Sequence, residues 1–157
     1  MGLFTRTVAV CHGHTGPYAG SFPVTWAAQY VGKPFELGAR GPTAFDCWGL
    51  VRSIYNDILD IELPGYGEID ASDLRRVTRQ MIAGRDAEPW KMVLEPQEFD
   101  VVVMGRYTSR FPGHVGIMID DHRVLHTEQS CNACVVSFNN PSVRERILGF
   151  RRHVTRL

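Results

Sequence analysis

The spacing of apolar positions changes once along the chain, near Trp90. Before that residue, apolar side chains recur at helical intervals, so that they share one face of a helix. The clearest set is Leu50, Val51, Ile54, Tyr55, Ile58 and Leu59. After Trp90 the apolar residues fall in short β-rich runs. Helices followed by a series of strands predict an α+β domain with an antiparallel sheet.

Three helices are predicted in the first part of the chain. The first covers residues 24–31, where a following Gly and Pro stop it. The second begins directly after Asp46, whose side chain is a good N-cap. The third covers residues 72–83, with Ser72 as its N-cap. These helices are expected to pack on the sheet that follows.

Five runs in the second part are predicted to be strands of one central antiparallel sheet of about five strands. They are 100-DVVVMG, 114-HVGIMI, 123-RVLHTE, 133-ACVVSF and 146-RILGFRR.

Cys47 is the first candidate for chemistry. If Asp46 caps the second helix, Cys47 is the first helical residue, where unpaired backbone N–H groups and the positive end of the helix dipole favour a thiolate. The same N–H groups could hold an oxyanion formed when the thiolate attacks a carbonyl carbon. A lone cysteine before an apolar helix can equally be a core residue. The cysteine alone therefore does not decide between a nucleophile and a core position.

Two histidines strengthen the interpretation of Cys47 as a nucleophile. If residues 120–122 form a three-residue hairpin loop, His126 lies opposite Gly116 and diagonal to His114 on the same face of the sheet. Diagonal neighbours are about 7–8 Å apart at the backbone, which allows ring nitrogens to bond. A Cys–His pair oriented by a third polar group is the layout of an activated thiol. His114 is predicted to be the base, and His126 to fix its tautomer. The alternative is two unrelated, half-exposed histidines.

Composition narrows the class of protein. The chain has 157 residues, 44% of them apolar and 22% charged, which is ordinary for one globular domain. Its 17 Lys and Arg balance 17 Asp and Glu, so no net field favours nucleic acid or an anionic membrane. No apolar run is long enough to span a bilayer, and the first residues do not resemble a signal peptide. We expect synthesis and folding in a cytoplasm.

These motifs resemble the NlpC family of papain-like cell-wall peptidases. The string FDCWGLV is similar to the family's nucleophile-bearing helix start, and GHVGIMID followed by VLHT is similar to its base-bearing hairpin. The likeness extends from about residue 23 to residue 153. It implies a papain-like fold, with Cys47 as nucleophile, His114 as base and His126 as the third residue. The implied substrate is an amide in the peptide stem of peptidoglycan, between D-glutamate and a diamino acid.

Within the family, the likeness is greatest to tail-associated peptidases of phages and gene-transfer agents. Trp48, the run VRSIYNDILDIELPGYG and the closing ILGFRR carry this resemblance. It implies a virion tail-tip location, assembly in the host cytoplasm and other tail-tip or hub proteins as partners. Residues 1–22 have no counterpart in short family members and are interpreted as an N-terminal arm. Residues 23–157 are interpreted as the peptidase domain.

Phe35 departs from the family pattern, because many members carry a Tyr at that position whose hydroxyl faces the site. Glu98 and Phe99 stand where the family pattern has a Gly before the strand of Asp100. Two rival functions remain open. One is a structural tail-tip or hub component with little activity, and the other is an amidase or acyltransferase on the same fold.

No cofactor and no metal are expected. The segments Cys11-His12-Gly13-His14 and Cys131-Asn132-Ala133-Cys134 could together form a Cys/His metal site. One C-x-x-C without a second pair is weak evidence for such a site. The preferred interpretation is therefore an exposed arm and a hairpin turn.

Overall fold

The computed structural model describes residues 26–107 and 109–157. These residues form an antiparallel sheet of six strands, and the two longer helices precede the sheet in the chain. The strands are β1 (Trp90–Val93), β2 (Val101–Gly105), β3 (Pro112–Met118), β4 (Arg123–Glu128), β5 (Cys131–Ser137) and β6 (Ile147–His153). The helices are α1 (Cys47–Leu59), α2 (Leu74–Arg85) and the short α3 (Pro141–Arg144). Single 3-10 turns cover Trp26–Gln29 and Val154–Arg156. The predicted α+β class is confirmed.

Helix α1 begins and packs as its sequence predicts. Asp46 is its N-cap, and Cys47 is the first helical residue. The first part of its apolar face, including Leu50 and Ile54, is fully buried in the core, and its last turn is partly buried. The helix ends at Asp60, which adopts a left-handed conformation with φ of 54°. Such a residue at the end of a helix closes the last turn by bonding back to its carbonyls.

The other two predicted helices differ in the structure. In place of the helix predicted over residues 24–31, the described residues contain a 3-10 turn, Trp26–Gln29, and residues 24 and 25 lie outside the described part. The third helix is capped by Asp73, whose carboxylate accepts a hydrogen bond from the Arg76 N–H. Ser72 instead bonds the carboxylate of Asp70. The prediction of a Ser72 cap was wrong. Ser72 and Asp73 are both good capping residues, and Ser72 is already bonded to Asp70 in the preceding turn.

The sheet has the strand order β1-β6-β2-β3-β4-β5. The extra strand, β1, was missed because it is only four residues long and two of its side chains are exposed. It pairs with β6, which lies between β1 and β2. Strand β5 begins at Cys131, two residues earlier than predicted.

A buried ion pair fixes the start of β2 to β6. The fully buried carboxylate of Asp100 accepts two hydrogen bonds from the Arg152 guanidinium, at 2.8 and 2.7 Å. The same carboxylate accepts the backbone N–H of Gln97. Nearby, Phe99 has a positive φ of 68° and stacks on Trp26 at 4.7 Å between ring centroids.

In the described part of the chain, no helix has the length and apolarity to cross a membrane.

Candidate active site

Asp46 holds the start of α1 in place. One carboxylate oxygen accepts the backbone N–H of Gly49 at 2.7 Å, the usual N-cap bond. The other accepts the backbone N–H of Gly38 at 3.2 Å and forms an ion pair with Arg40. The capping residue is thus bound on both sides, to the helix and to the preceding loop. This fixes the position of Cys47, the next residue in the chain.

The loop before α1 packs directly on the first turn of the helix. A Cβ atom added at Gly49 would lie 2.2 Å from the carbonyl oxygen of Ala39. Only glycine allows the two backbones to approach this closely. The G of the string DCWG is therefore required by the contact between loop and helix.

The thiol of Cys47 is protonated in the resting site. Burial, followed by the negative charge of Asp46, raises the pKa of this thiol to about 11. The pKa is lowered by hydrogen bonds with the backbones of Val115 and Trp48 and by the charge of Arg106. These effects are smaller than those of burial and Asp46. This reverses the expectation that the helix N-terminus and His114 hold a thiolate. Desolvation of a charge is the larger effect here.

His114 and His126 meet as the hairpin register predicts. Strands β3 and β4 pair through Ile117–Leu125 and Met118–Val124, which places Gly116 opposite His126. Nε2 of His114 lies 3.1 Å from Nδ1 of His126, and the rings are nearly perpendicular, at 78°. Both side chains are buried. The alternative of two unrelated, half-exposed histidines was wrong.

His114 is neutral in this environment. Burial is the main reason that the pKa of His114 lies well below its ordinary value. Repulsion from His126, Arg146 and Arg106 lowers this pKa further. A neutral imidazole can accept a proton. Because its Nε2 is bonded to His126, Nδ1 is the nitrogen left to take a proton from a nucleophile. The raised pKa of the thiol and the lowered pKa of the imidazole both favour a thiol with a neutral imidazole over a thiolate–imidazolium pair.

Cys47 and His114 both line a cleft of about 970 Å³. One wall is apolar and comes largely from α2 and the segment before it, through Ile69, Leu74, Val77 and Met81. Other lining residues are charged, including the arginines Arg40, Arg85, Arg106, Arg146 and Arg151. Four of these arginines are paired with carboxylates of the chain itself: Arg40 with Asp46, Arg146 with Glu128, and Arg85 and Arg151 with Asp86. The cleft therefore offers mainly an apolar surface to a bound molecule.

Sequence reasoning missed several of these lining residues. The α2 wall was not anticipated, because nothing in a helix sequence shows which part of the fold it will face. Arg106 lies in the loop between β2 and β3 and lines the cleft. Phe35 lines the cleft, and so does Tyr66, whose ring lies 5.6 Å from that of Trp48. Tyr66 thus supplies a phenol to the cleft despite the absence of a Tyr at position 35.

Among the residues that the structure describes, two clusters could hold a metal ion. The first is His126, Cys131 and Cys134, and the second is His114, His126 and Glu128. Residues 11–14, the other half of the Cys/His site weighed from the sequence, lie outside the described residues. The C-x-x-C segment itself is not the exposed hairpin turn expected for it, because Cys131 and Cys134 both belong to β5 and Cys134 is buried.

Comparison with known proteins gives consistent results for sequence and fold. A family model described as the NlpC/P60 family matches residues 32–152. The murein DD-endopeptidase MepH of Escherichia coli is 26% identical over 129 residues, 81% of this chain and 43% of that protein. The gamma-DL-glutamyl hydrolase of Bacillus subtilis is 25% identical over 138 residues, 87% of this chain and 30% of that protein. The chain thus spans less than half the length of these two relatives.

A solved structure shares the fold. An NlpC/P60 family protein from Bacillus cereus superposes with a TM-score of 0.60 at 20% identity, over 82% of this chain and 38% of that one. At this identity the similarity shows the architecture alone. The expected papain-like NlpC architecture is thereby confirmed.

Proposed function

The chain belongs to the NlpC/P60 family, and from this membership we propose that it is a cysteine peptidase that cleaves amide bonds in peptidoglycan stem peptides. The observation that carries the proposal is the placement of Cys47, at the start of α1, in the same cleft as His114, which is bonded to His126. A nucleophile, a base and a residue that orients the base are what acyl transfer requires.

In the proposed mechanism, proton transfer accompanies attack. The Cys47 thiol gives its proton to Nδ1 of His114 as its sulfur bonds to the amide carbonyl carbon. His126 accepts the Nε2–H of His114 and stabilises the imidazolium that forms. The backbone N–H of Cys47 supports the oxyanion. His114 then protonates the leaving amine, and water, activated by the same imidazole, hydrolyses the thioester and regenerates the thiol.

The proposed bond joins D-glutamate to a diamino acid. Support comes from the resemblance of the motifs and from the name of the Bacillus subtilis relative, a gamma-DL-glutamyl hydrolase. The Escherichia coli relative is named a DD-endopeptidase, so relatives of similar identity are named for different bonds. Arg106, which lines the cleft and acts on both Cys47 and His114, offers a guanidinium that suits a carboxylate of a glutamyl stem.

The test is digestion of purified peptidoglycan, with products identified by mass spectrometry. Wild type is expected to release fragments ending in D-glutamate, and Cys47→Ser, which keeps the size of the side chain, is expected to release none. Fragments cut between other stem residues would support the peptidase activity but contradict the proposed bond between D-glutamate and the diamino acid. Equal products from wild type and Cys47→Ser would reject the thiol mechanism.

We further propose that the protein acts at a phage-type tail tip. Support comes from Trp48, the run VRSIYNDILDIELPGYG and the ILGFRR strand, which resemble tail-associated members. Residues 1–22 are the candidate tether to a partner. Deleting them is expected to leave cleavage of soluble muropeptides intact and to lower the protein content of purified particles. Equal incorporation would assign docking to the globular domain instead.

One rival function has a specific observation in its favour. The apolar wall from α2 also suits an acyl chain, which an amidase or acyltransferase on this fold would bind. Incubation with muropeptides and with long-chain acyl amides separates the two. Turnover of the acyl amides alone would replace the peptidase proposal.

A further inference from the structure

Arg106 differs from the other arginines that line the cleft, because no carboxylate of the described residues forms an ion pair with it. The other four, Arg40, Arg85, Arg146 and Arg151, are each held by a carboxylate of the chain. Arg106 is exposed, and it lines both the main cleft and a smaller neighbouring groove of about 220 Å³. Its charge therefore remains available to a molecule that enters the cleft.

The backbone holds Arg106 beside the strand that carries His114. The loop between β2 and β3 contains a turn in which the Ser109 N–H donates to the Arg106 carbonyl at 3.1 Å. At the end of that loop, a Cβ atom added at Gly113, the residue before His114, would lie 3.2 Å from the Cβ atom of Arg106. The lack of a side chain at Gly113 thus lets Arg106 lie directly against the first residues of β3. The Arg106 side chain therefore starts next to the proposed base.

The charge of Arg106 acts on both reacting groups. It lowers the pKa of the Cys47 thiol and also lowers the pKa of His114. A nearby positive charge favours the thiolate and opposes the imidazolium. In the transfer of a proton from Cys47 to His114 these two effects largely cancel, so Arg106 contributes little to the proton transfer itself. Both effects need a guanidinium near the reacting groups, where it can reach a substrate group close to the scissile bond.

A glutamyl stem offers an anion at that place. In peptidoglycan the D-glutamate is linked to the diamino acid through its side-chain carbonyl, so its α-carboxyl group is not part of the scissile amide. Only two methylene groups and the α-carbon separate this carboxyl group from the scissile carbonyl carbon. In natural stems it occurs either as the free acid or as the primary amide. A guanidinium can bind the carboxylate through two parallel charge-assisted hydrogen bonds, whereas the amide offers a single neutral acceptor.

We propose that Arg106 binds the α-carboxylate of the D-glutamyl residue, so that the enzyme selects stem peptides with a free acid at this position over amidated stems. The proposal rests on the proposed function, since it specifies which stems the same cleft accepts. Arg106 is then a specificity-determining residue, and Cys47 and His114 carry out the same reaction on either stem. Because Arg106 is exposed, added salt should weaken the selection.

The first test is binding without turnover. Full-length Cys47→Ser protein is titrated calorimetrically with L-Ala-γ-D-Glu-diaminopimelate and with the same peptide amidated only at the glutamyl α-carboxyl group, and the pair is repeated with lysine as the diamino acid. The acid should bind at least about tenfold more tightly, as charge-assisted hydrogen bonds allow. Adding Arg106→Gln should remove most of this difference. Arg110→Gln is the matched control, because Arg110 is an exposed arginine of the same loop that does not line the cleft.

The second test is competition between the acid and amidated stems in one reaction. The ratio of products, measured by mass spectrometry, gives the ratio of the two kcat/KM values. Wild type and Arg110→Gln should favour the acid by at least about tenfold. Arg106→Gln should lose this preference and still cleave the amidated stem at about the wild-type rate, because that stem does not use the charge of Arg106.

Three results would overturn the assignment to Arg106. One is equal binding, or no binding, of acid and amide by protein that retains Arg106. Another is a preference for the acid that survives Arg106→Gln. The third is an equal loss of rate on both stems in Arg106→Gln, which would show a structural role. Each can occur in an active peptidase. Failure of the proposed peptidase activity appears instead as no cleavage of either stem by wild type, and the binding test then still decides the role of Arg106.

Discussion

The sulfur of Cys47 is hydrogen bonded to the backbone of Val115, the residue that follows the proposed base. The nucleophile-bearing helix and the base-bearing strand thus meet at the sulfur itself. The bond favours the thiolate, yet burial and Asp46 keep the thiol protonated. Activation must therefore come from His114 during the reaction, since the resting thiolate population is small.

The alkylation rate of Cys47 should reflect this balance. With the pKa raised to about 11, the thiolate fraction at neutral pH is small and grows as pH rises toward 11. At pH 7 we expect iodoacetamide to react with Cys47 at least about tenfold more slowly than with a free model thiol. This figure allows for the greater nucleophilicity of a more basic thiolate. Peptide mass spectrometry gives the site, with Cys47→Ser as control. A rate that reaches its plateau below pH 8 would contradict the raised pKa.

Substitution of the two buried histidines should differ in degree. His114→Ala removes proton transfer, which is worth roughly 10²–10⁴-fold in rate. His126→Ala leaves the base present but free to rotate and should lose less. The matched control is His122→Ala, because this histidine is exposed in the hairpin loop between β3 and β4. Initial rates on a soluble muropeptide, with circular dichroism for folding, check the order. Wild-type rates in both buried variants would show that His114 and His126 take no part in catalysis.

Gly116→Ala should disturb the histidine pair without a change in any polar group. The added Cβ would lie 2.7 Å from Cγ1 of Val124 and 3.1 Å from Cβ of His126, both in buried surroundings. We expect a loss of about 1–3 kcal/mol in the free energy of unfolding, typical of overpacking, and a lower turnover. Gly67→Ala is the control, since its Cβ would meet nothing within 4 Å. Equal behaviour of the two variants in urea unfolding and in turnover would show that the space beside His126 is not tight.

Arg152→Ala should destabilise the whole domain. It leaves the fully buried carboxylate of Asp100 without its bidentate partner. Breaking such a pair costs about 3–5 kcal/mol. Urea denaturation measures the loss, and Arg75→Ala, on the exposed side of α2, is the control. A loss below about 1 kcal/mol would show that water replaces the guanidinium.

The local parts of this site could be predicted from sequence. The cap at Asp46 and the hairpin register that joins His114 to His126 depend on residues close in the chain. The pKa of Cys47 was predicted in the wrong direction, because burial depends on residues distant in the chain that a sequence does not place around the sulfur. The same limit applies to the α2 wall of the cleft.

Among strands, β1 was missed because its stability comes from its partner. Its four residues have a weak pattern, and they become a strand by pairing with β6 from Trp90–His153 to Val93–Phe150. The register shift between β4 and β5 beside Cys131 and Cys134 was also invisible, since a C-x-x-C spacing alone does not specify an extra residue in β5.

The position of β6 between β1 and β2 has a consequence for the order of folding. Strands β2 to β5 are consecutive neighbours, so they can pair through short loops as soon as they are synthesised. Strand β1 must wait for Ile147–His153, which closes a long loop at an entropic cost before any contact is gained. We expect β6 to pair last, beside β2, after strands β2 to β5 have formed and brought the two histidines together. A chain truncated before residue 147 would then contain a native-like hairpin but lack the bond between Arg152 and Asp100, and it would be readily proteolysed.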